Sequence, residues 1–133
     1  MKTACTALLV FLIMTVGTYV YSADRFRLTG RAGEYSLTIT FDKSQPATGR
    51  NRMYIEVVDT SQKSVTNAAI QVHYYMPSLP GKQPMMENTT NAKRSGAGYE
   101  ADLYLDMKGE WKVDIILEVS GRRREVLMAF QAE

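Results

Sequence analysis

The soft donor atoms of this chain gather in one stretch. His73 is its one histidine, and Met76, Met85 and Met86 follow it, the three methionines lying within eleven positions. Thioether sulfur selects Cu(I), and imidazole accepts either copper state. The candidate metal ligands are therefore Met85, Met86 and either Met76 or His73. Pro77, Pro80 and Pro84 stiffen the backbone between them, which lowers the entropy lost when a loop closes around an ion. Lys82 works against such a site, because its ammonium repels a cation. Each ligand also has a plainer reading. Met76 sits on the inward parity of a strand, and methionine fills irregular core gaps. Met107 has the same parity four residues before Trp111, and core packing is its expected role. His73, on outward parity, reads equally as a surface histidine.

Other chemistries are poorly supplied. A serine nucleophile needs His73 as its base and an acid to orient it. Ser78 is near in sequence, but this strand-to-loop spacing is not a nucleophile elbow. There is no GxSxG, no glycine-rich phosphate loop and no HExxH. Asp102, Asp106, Asp114 and Glu118 fall on outward strand positions and read as a solvated sheet face. The chain is therefore expected not to be an enzyme. Tyr54, Tyr75 and Tyr104 also point outward. If their strands share a sheet they form an aromatic patch suited to a protein partner; otherwise they pair across strands without one.

The elements that position these residues are strands. Ile70, Val72, Tyr74 and Met76 alternate with Gln71, His73 and Tyr75, the period of a half-buried strand. Pro77, Pro80 and Pro84 then stop any ladder. The segment from Pro77 to Gly98 reads mostly as loop, with room for one short edge strand over Glu87 to Ser95. The same alternation runs through Tyr35–Phe41, Met53–Val57, Tyr99–Met107, Trp111–Val119 and Val126–Phe130. Breakers separate these runs: Pro46 and Gly49, Asp59 to Asn67, Lys108-Gly109 and Ser120-Gly121. Short alternating strands with turns between them predict an all-β fold, a single antiparallel β-sandwich of about seven strands over residues 32–132.

The expected core is Tyr35, Leu37, Ile39, Phe41, Ile55, Val57, Val72, Tyr74, Leu103, Leu105, Trp111, Val113, Ile115, Leu117, Val126 and Met128. Trp111 is its largest member. Its indole N–H needs a partner, expected among the carbonyls of Pro77–Pro80.

Residues 1–23 are a separate segment. Lys2 precedes an uncharged run to Ala23, apolar from Ala7 to Val20 but for Thr15, Gly17 and Thr18. It is either a cleaved signal peptide or a retained membrane anchor over residues 7–23. Small residues before Ala23 suit cleavage; the length of the run, and Arg25, Arg27 and Arg31 just after it, suit an anchor. Both place the domain outside the cytoplasm, periplasmic or secreted. Cys5, the one cysteine, lies inside this segment, so the exported part has no thiol or disulfide and depends on its core. With Lys2 set aside, 15 Lys and Arg face 14 Asp and Glu. That balance argues against nucleic acid or an anionic surface as partner. The local excess Arg122-Arg123-Arg124 reads as a solvated turn. Asn88-Thr89-Thr90 matches a glycosylation acceptor, but the motif is too short to carry weight.

Several pieces resemble a known family. They are Gly49 to Asp59, Ala69 to Val72, Met76-Pro77-Ser78-Leu79-Pro80-Gly81, Gly98 to Ala101, and Met107-Lys108-Gly109-Glu110-Trp111. Together they resemble the YtkA-like domain, a relative of the FixH-like proteins. The most specific are Met-Pro-x-x-Pro-Gly and Met-x-Gly-x-Trp, in that order. Their structural motif residues are Pro77, Pro80, Gly81, Met107, Gly109 and Trp111. The resemblance implies a bacterial extracytoplasmic domain with an immunoglobulin-like sandwich. It further implies a non-enzymatic accessory role, linked to copper handling or to assembly of copper-containing respiratory oxidases with an envelope protein as partner. One departure is local: Leu79 and Lys82 stand where the family loop usually carries methionines, which removes two candidate ligands and adds a positive charge. The other reading is an interaction module that uses a sheet face and holds no metal.

Overall fold

In the computed structural model, the described residues are 24–77 and 85–133. Residues 1–23, where an export or anchor segment is expected, and residues 78–84, which include Leu79, Pro80, Gly81 and Lys82, lie outside them.

The alternating runs become nine antiparallel strands among the described residues: β1 (Arg27–Ala32), β2 (Tyr35–Phe41), β3 (Gly49–Val58), β4 (Ala69–Met76), β5 (Met85–Asn91), β6 (Lys93–Ser95), β7 (Gly98–Leu105), β8 (Gly109–Val119) and β9 (Arg122–Ala132). They form a five-stranded sheet of order β1-β2-β3-β7-β6 and a four-stranded sheet of order β5-β4-β8-β9. The inward residues of both sheets make one core, from Leu37, Ile39 and Phe41 to Val113, Ile115 and Leu117. Burial of these apolar side chains is the main force holding the layers together.

Three features differ from the sequence reading. The expected edge strand over Glu87 to Ser95 is two strands, and β5 starts earlier, at Met85. The chain changes sheets at Ala92, between β5 and β6, so the two halves extend different layers. β1 is the second addition. Its inward position Gly30 hides the strand pattern, because glycine contributes no apolar side chain. The space is filled from β9: a Cβ at Gly30 would come within 2.9 Å of the Met128 methyl. Third, Tyr35 and Val126 are half-buried rather than core. Tyr35 lies at the end of a hairpin, and Val126 on an edge strand.

Buried side chains latch the places where the chain changes direction. The Tyr99 hydroxyl donates to the Val65 carbonyl at 2.8 Å and accepts from the Ala68 N–H at 3.0 Å. It thereby holds the crossing from β3 to β4. Asn51, the one buried polar residue among those described, holds the loop between β2 and β3. Trp111 holds the crossing from β7 to β8. Arg124 also has a partner: its Nε donates to Glu34 Oε2 at 2.9 Å, tying β9 to the β1–β2 hairpin. That hydrogen bond holds the Glu34 carboxyl below the usual carboxylate range.

Candidate functional site

The strands that carry Met76 and Met85 meet at one end of the sandwich. β4 ends at Met76, and β5 begins with Met85 directly opposite it. The ladder slips by one residue here, so that Met86 and Glu87 together face Tyr75. Such a bulge re-aims the residues around it. The sequence reading placed Met85 and Met86 on a loop; both belong to β5. Met76 is half-buried on the inner face and packs against the core. Its methyl lies 3.1 Å from where a Cβ of Gly109 would stand, and Gly109 has φ +127°. Few side chains adopt that φ, so Gly109 both makes the turn into β8 and leaves room for the Met76 methyl.

Met107 corrects an expectation. Inward parity marked it for the core, yet it is 41% exposed. β7 stops at Leu105, and the chain is already turning at Met107, where strand parity no longer applies. The turn signal Lys108-Gly109, directly after it, is the clue that parity ends early. Trp111 is fully buried, as expected, and its N–H donates to the Met107 carbonyl at 3.0 Å; of the expected Pro77–Pro80 partners, residues 78–80 lie outside the described residues. That hydrogen bond fixes the turn that presents Met107 beside the β4–β5 end.

His73 lies away from this group. Residues 73 and 76 have opposite parity, so His73 is on the outer face of the four-stranded sheet and Met76 on the inner. The His73 Nε2 is 2.6 Å from Glu87 Oε1, and its ring lies 5.2 Å from that of Tyr75 at 33°. Glu87 is a partner that strand parity alone does not reveal. Asp114 stands opposite His73 in the ladder. Burial, then the nearby Glu125 carboxylate, raises the Asp114 carboxyl above its ordinary range, against the opposing pull of His73 and Arg123. Among the described residues no three His, Cys, Asp or Glu side chains gather as a metal site.

The Asp114 shift has a sign. A carboxyl whose pKa is raised by folding costs stability when ionised, and the cost disappears as pH falls below its unfolded value. Asp114→Asn is therefore expected to melt higher than wild type at neutral pH, with the gap closing in acid. Thermal melts at the two pH values check it; an unchanged or lower melting temperature at neutral pH contradicts it.

The three outward tyrosines do not form one patch. Tyr54 and Tyr104 share the five-stranded sheet, whereas Tyr75 is on the other. The cause is the crossover after β3, which carries β4 to the opposite layer. Tyr104 is 54% exposed. Beside it Asp102 accepts from Arg50 at 3.0 Å and from Arg52 at 3.3 Å. Burial pushes the Asp102 carboxyl up, but the two guanidinium hydrogen bonds outweigh it and hold it below the usual range.

This is a two-sheet antiparallel sandwich with a methionine-bearing end. The chain belongs to the YtkA-like family, whose model matches residues 29–115, from β1 into β8. Its fold is similar to that of the PmoD soluble domain from a Methylocystis species, with a TM-score of 0.54 at 15% identity. The similarity covers 80% of this chain and 97% of that one. No curated protein matches the sequence.

Proposed function

We propose that this protein is a non-enzymatic accessory domain of the bacterial envelope that handles copper, holding Cu(I) through methionine sulfur at one end of its sandwich. The observation that carries this reading is the pairing of Met76 with Met85 where β4 ends and β5 begins, with the turn that follows Met107 entering β8 at Gly109, against the Met76 methyl. Thioethers in a domain without thiols suit Cu(I) and few other biological ions. Met86, next to Met85 at the bulge, is a further candidate donor. His73 is better read as a neighbour that orders β5 through Glu87 than as a ligand.

The family supports an extracytoplasmic place and a role beside a copper-containing respiratory complex, with an envelope protein as partner. Residues 1–23 supply the export signal or the inner-membrane anchor. Strand order supports the immunoglobulin-like reading: β2-β3-β7-β6 and β4-β8-β9 follow the A-B-E-D and C-F-G arrangement of such sandwiches.

A Cu(I) titration of residues 24–133 against a competing chelator tests the proposal. Binding tighter than about micromolar is expected. It should weaken when Met85 and Met86 are both changed to leucine, and again when Met76 and Met107 are. Binding no tighter than that, or unchanged by both pairs of substitutions, removes the metal reading. The interaction module then remains, with Tyr104 on the exposed face of the five-stranded sheet as its anchor.

A further inference from the structure

We infer that β9 is a docking edge for a second copy of this chain, the two β9 strands pairing antiparallel about a twofold axis at Val126. This goes beyond the copper reading and does not depend on it.

β9 is an edge of the four-stranded sheet and pairs with β8 along its whole length. Its inward side chains Arg124, Val126 and Met128 lie against the β1–β2 hairpin at Glu34, Gly33 and Gly30. Among the described residues its other side is hydrogen-bonded along the main chain only at the C-terminal end. There the Gln45 Nε2 donates to the Gln131 carbonyl at 2.7 Å, the Glu133 N–H donates to the Pro46 carbonyl at 2.9 Å, and the Thr48 N–H donates to the Glu133 carbonyl at 3.1 Å. In an antiparallel strand, alternate residues turn both N–H and C=O to the same side. Gln131 and Glu133 therefore set the parity, and Ala129, Leu127, Glu125 and Arg123 also present their main-chain groups outward. Arg124 Nη1 donates to the Arg123 carbonyl at 2.9 Å. The outward groups of Glu125, Leu127 and Ala129 have no main-chain partner among the described residues.

Open edges are usually guarded by short length or by unpaired charge. β6 has three residues, and β1 carries exposed Arg27 and Arg31. β9 is less guarded. Its outer charges pair with each other, Arg123 Nη2 to Glu125 Oε2 at 3.7 Å. At the middle of the free stretch Leu127 is 55% exposed and Val126 half-buried.

The covered end selects the register. A partner strand must stop at Ala129, because Gln45 and Pro46 occupy the edge beyond it. A twofold pairing fitted to residues 123–129 sets Glu125 opposite Leu127 of the second copy, exchanging both N–H···O bonds, and Arg123 opposite its Ala129, where the Arg123 carbonyl accepts from Ala129 N–H with its second lone pair beside Arg124 Nη1. Val126 then faces its own counterpart across the axis, and the two Leu127 side chains meet on the diagonal. Like charges do not stand directly opposite each other. The stretch is thus complementary to itself, which favours a second copy over an unrelated strand.

Val126→Cys, in the full chain carrying Cys5→Ser, tests the pairing. Opposed residues of this type bring their Cα atoms to about 4.5 Å, within disulfide reach. Mild oxidation is expected to give a covalent dimer at twice the monomer mass. A Thr38→Cys control, on the outer face of the other sheet, should stay monomeric. Adding Ala129→Pro should abolish the dimer, because it removes an outward N–H that the single chain does not use; edge strands tolerate such a proline. If that variant melts early, Leu127→Lys serves instead, with the same loss expected. The inference is overturned if Val126→Cys stays monomeric, if it crosslinks no more than the control, if the dimer survives these substitutions, or if the disulfide forms to a different protein.

Discussion

Trp111→Ala is expected to lower the folding free energy by about 3–5 kcal/mol, the range for removing a large aromatic side chain from a packed core. Trp111 is fully buried, the largest side chain among the buried residues, and its ring lies 6.1 Å from that of Tyr74. The cost has a second part. The Met107 carbonyl loses the indole N–H that holds the β7–β8 turn. Trp111→Phe separates the two, keeping most of the volume while losing the hydrogen bond, which contributes about 1 kcal/mol. Denaturant unfolding followed by circular dichroism reads both variants. The chain has one tryptophan, so native emission reports this site alone and should be that of a buried indole. A water-exposed spectrum, or an alanine variant within about 1 kcal/mol of wild type, contradicts the account. Because the same turn presents Met107, Trp111→Phe should also weaken Cu(I) binding if the methionine end holds the ion.

Asn51→Ala is the second large effect. Asn51 lies on the inward parity of β3, where an apolar residue belongs by pattern, and it is fully buried. Its Oδ1 accepts from the Ala47 N–H at 3.0 Å and from the Lys43 ammonium at 3.3 Å. Its Nδ2 donates to the Ala47 carbonyl at 2.7 Å and to the Gly49 carbonyl at 3.1 Å. One side chain thus satisfies the backbone of a loop that has no ladder of its own. Alanine leaves those groups without partners, at about 1–3 kcal/mol for an unsatisfied buried group. That loop also holds Glu133, just past β9, through Pro46 and Thr48. Amide exchange at Thr48 and Glu133 should therefore accelerate in Asn51→Ala more than at β8 positions such as Ile115. Equal acceleration everywhere would mean only global destabilisation and no latch.

Strand alternation carries most of the fold in plain view. β2, β3, β4, β7, β8 and β9 each interleave apolar with polar residues because each has one face on the core and one in water. β1 is hidden because its central inward position is a glycine filled from another strand. The split between β5 and β6 is hidden because both are polar and their short-range pattern is continuous through Ala92. At the candidate site, sulfur as the donor chemistry is legible from residue types alone. Where Met107 lies is not, since parity sends it inward and the turn sends it out.

The sequence by itself determined an all-β antiparallel sandwich and a core centred on Trp111. These follow from residue type and from period-2 spacing, which are local properties. Only the tertiary structure decided the rest. It put Tyr75 on one sheet and Tyr54 and Tyr104 on the other, placed His73 and Met76 on opposite faces of one strand with Glu87 beside the histidine, and brought Met107 to the end where Met76 faces Met85. The physical reason is the same in each case: crossovers and turns set which distant strands are neighbours, and that is decided by how the two layers close over a shared core.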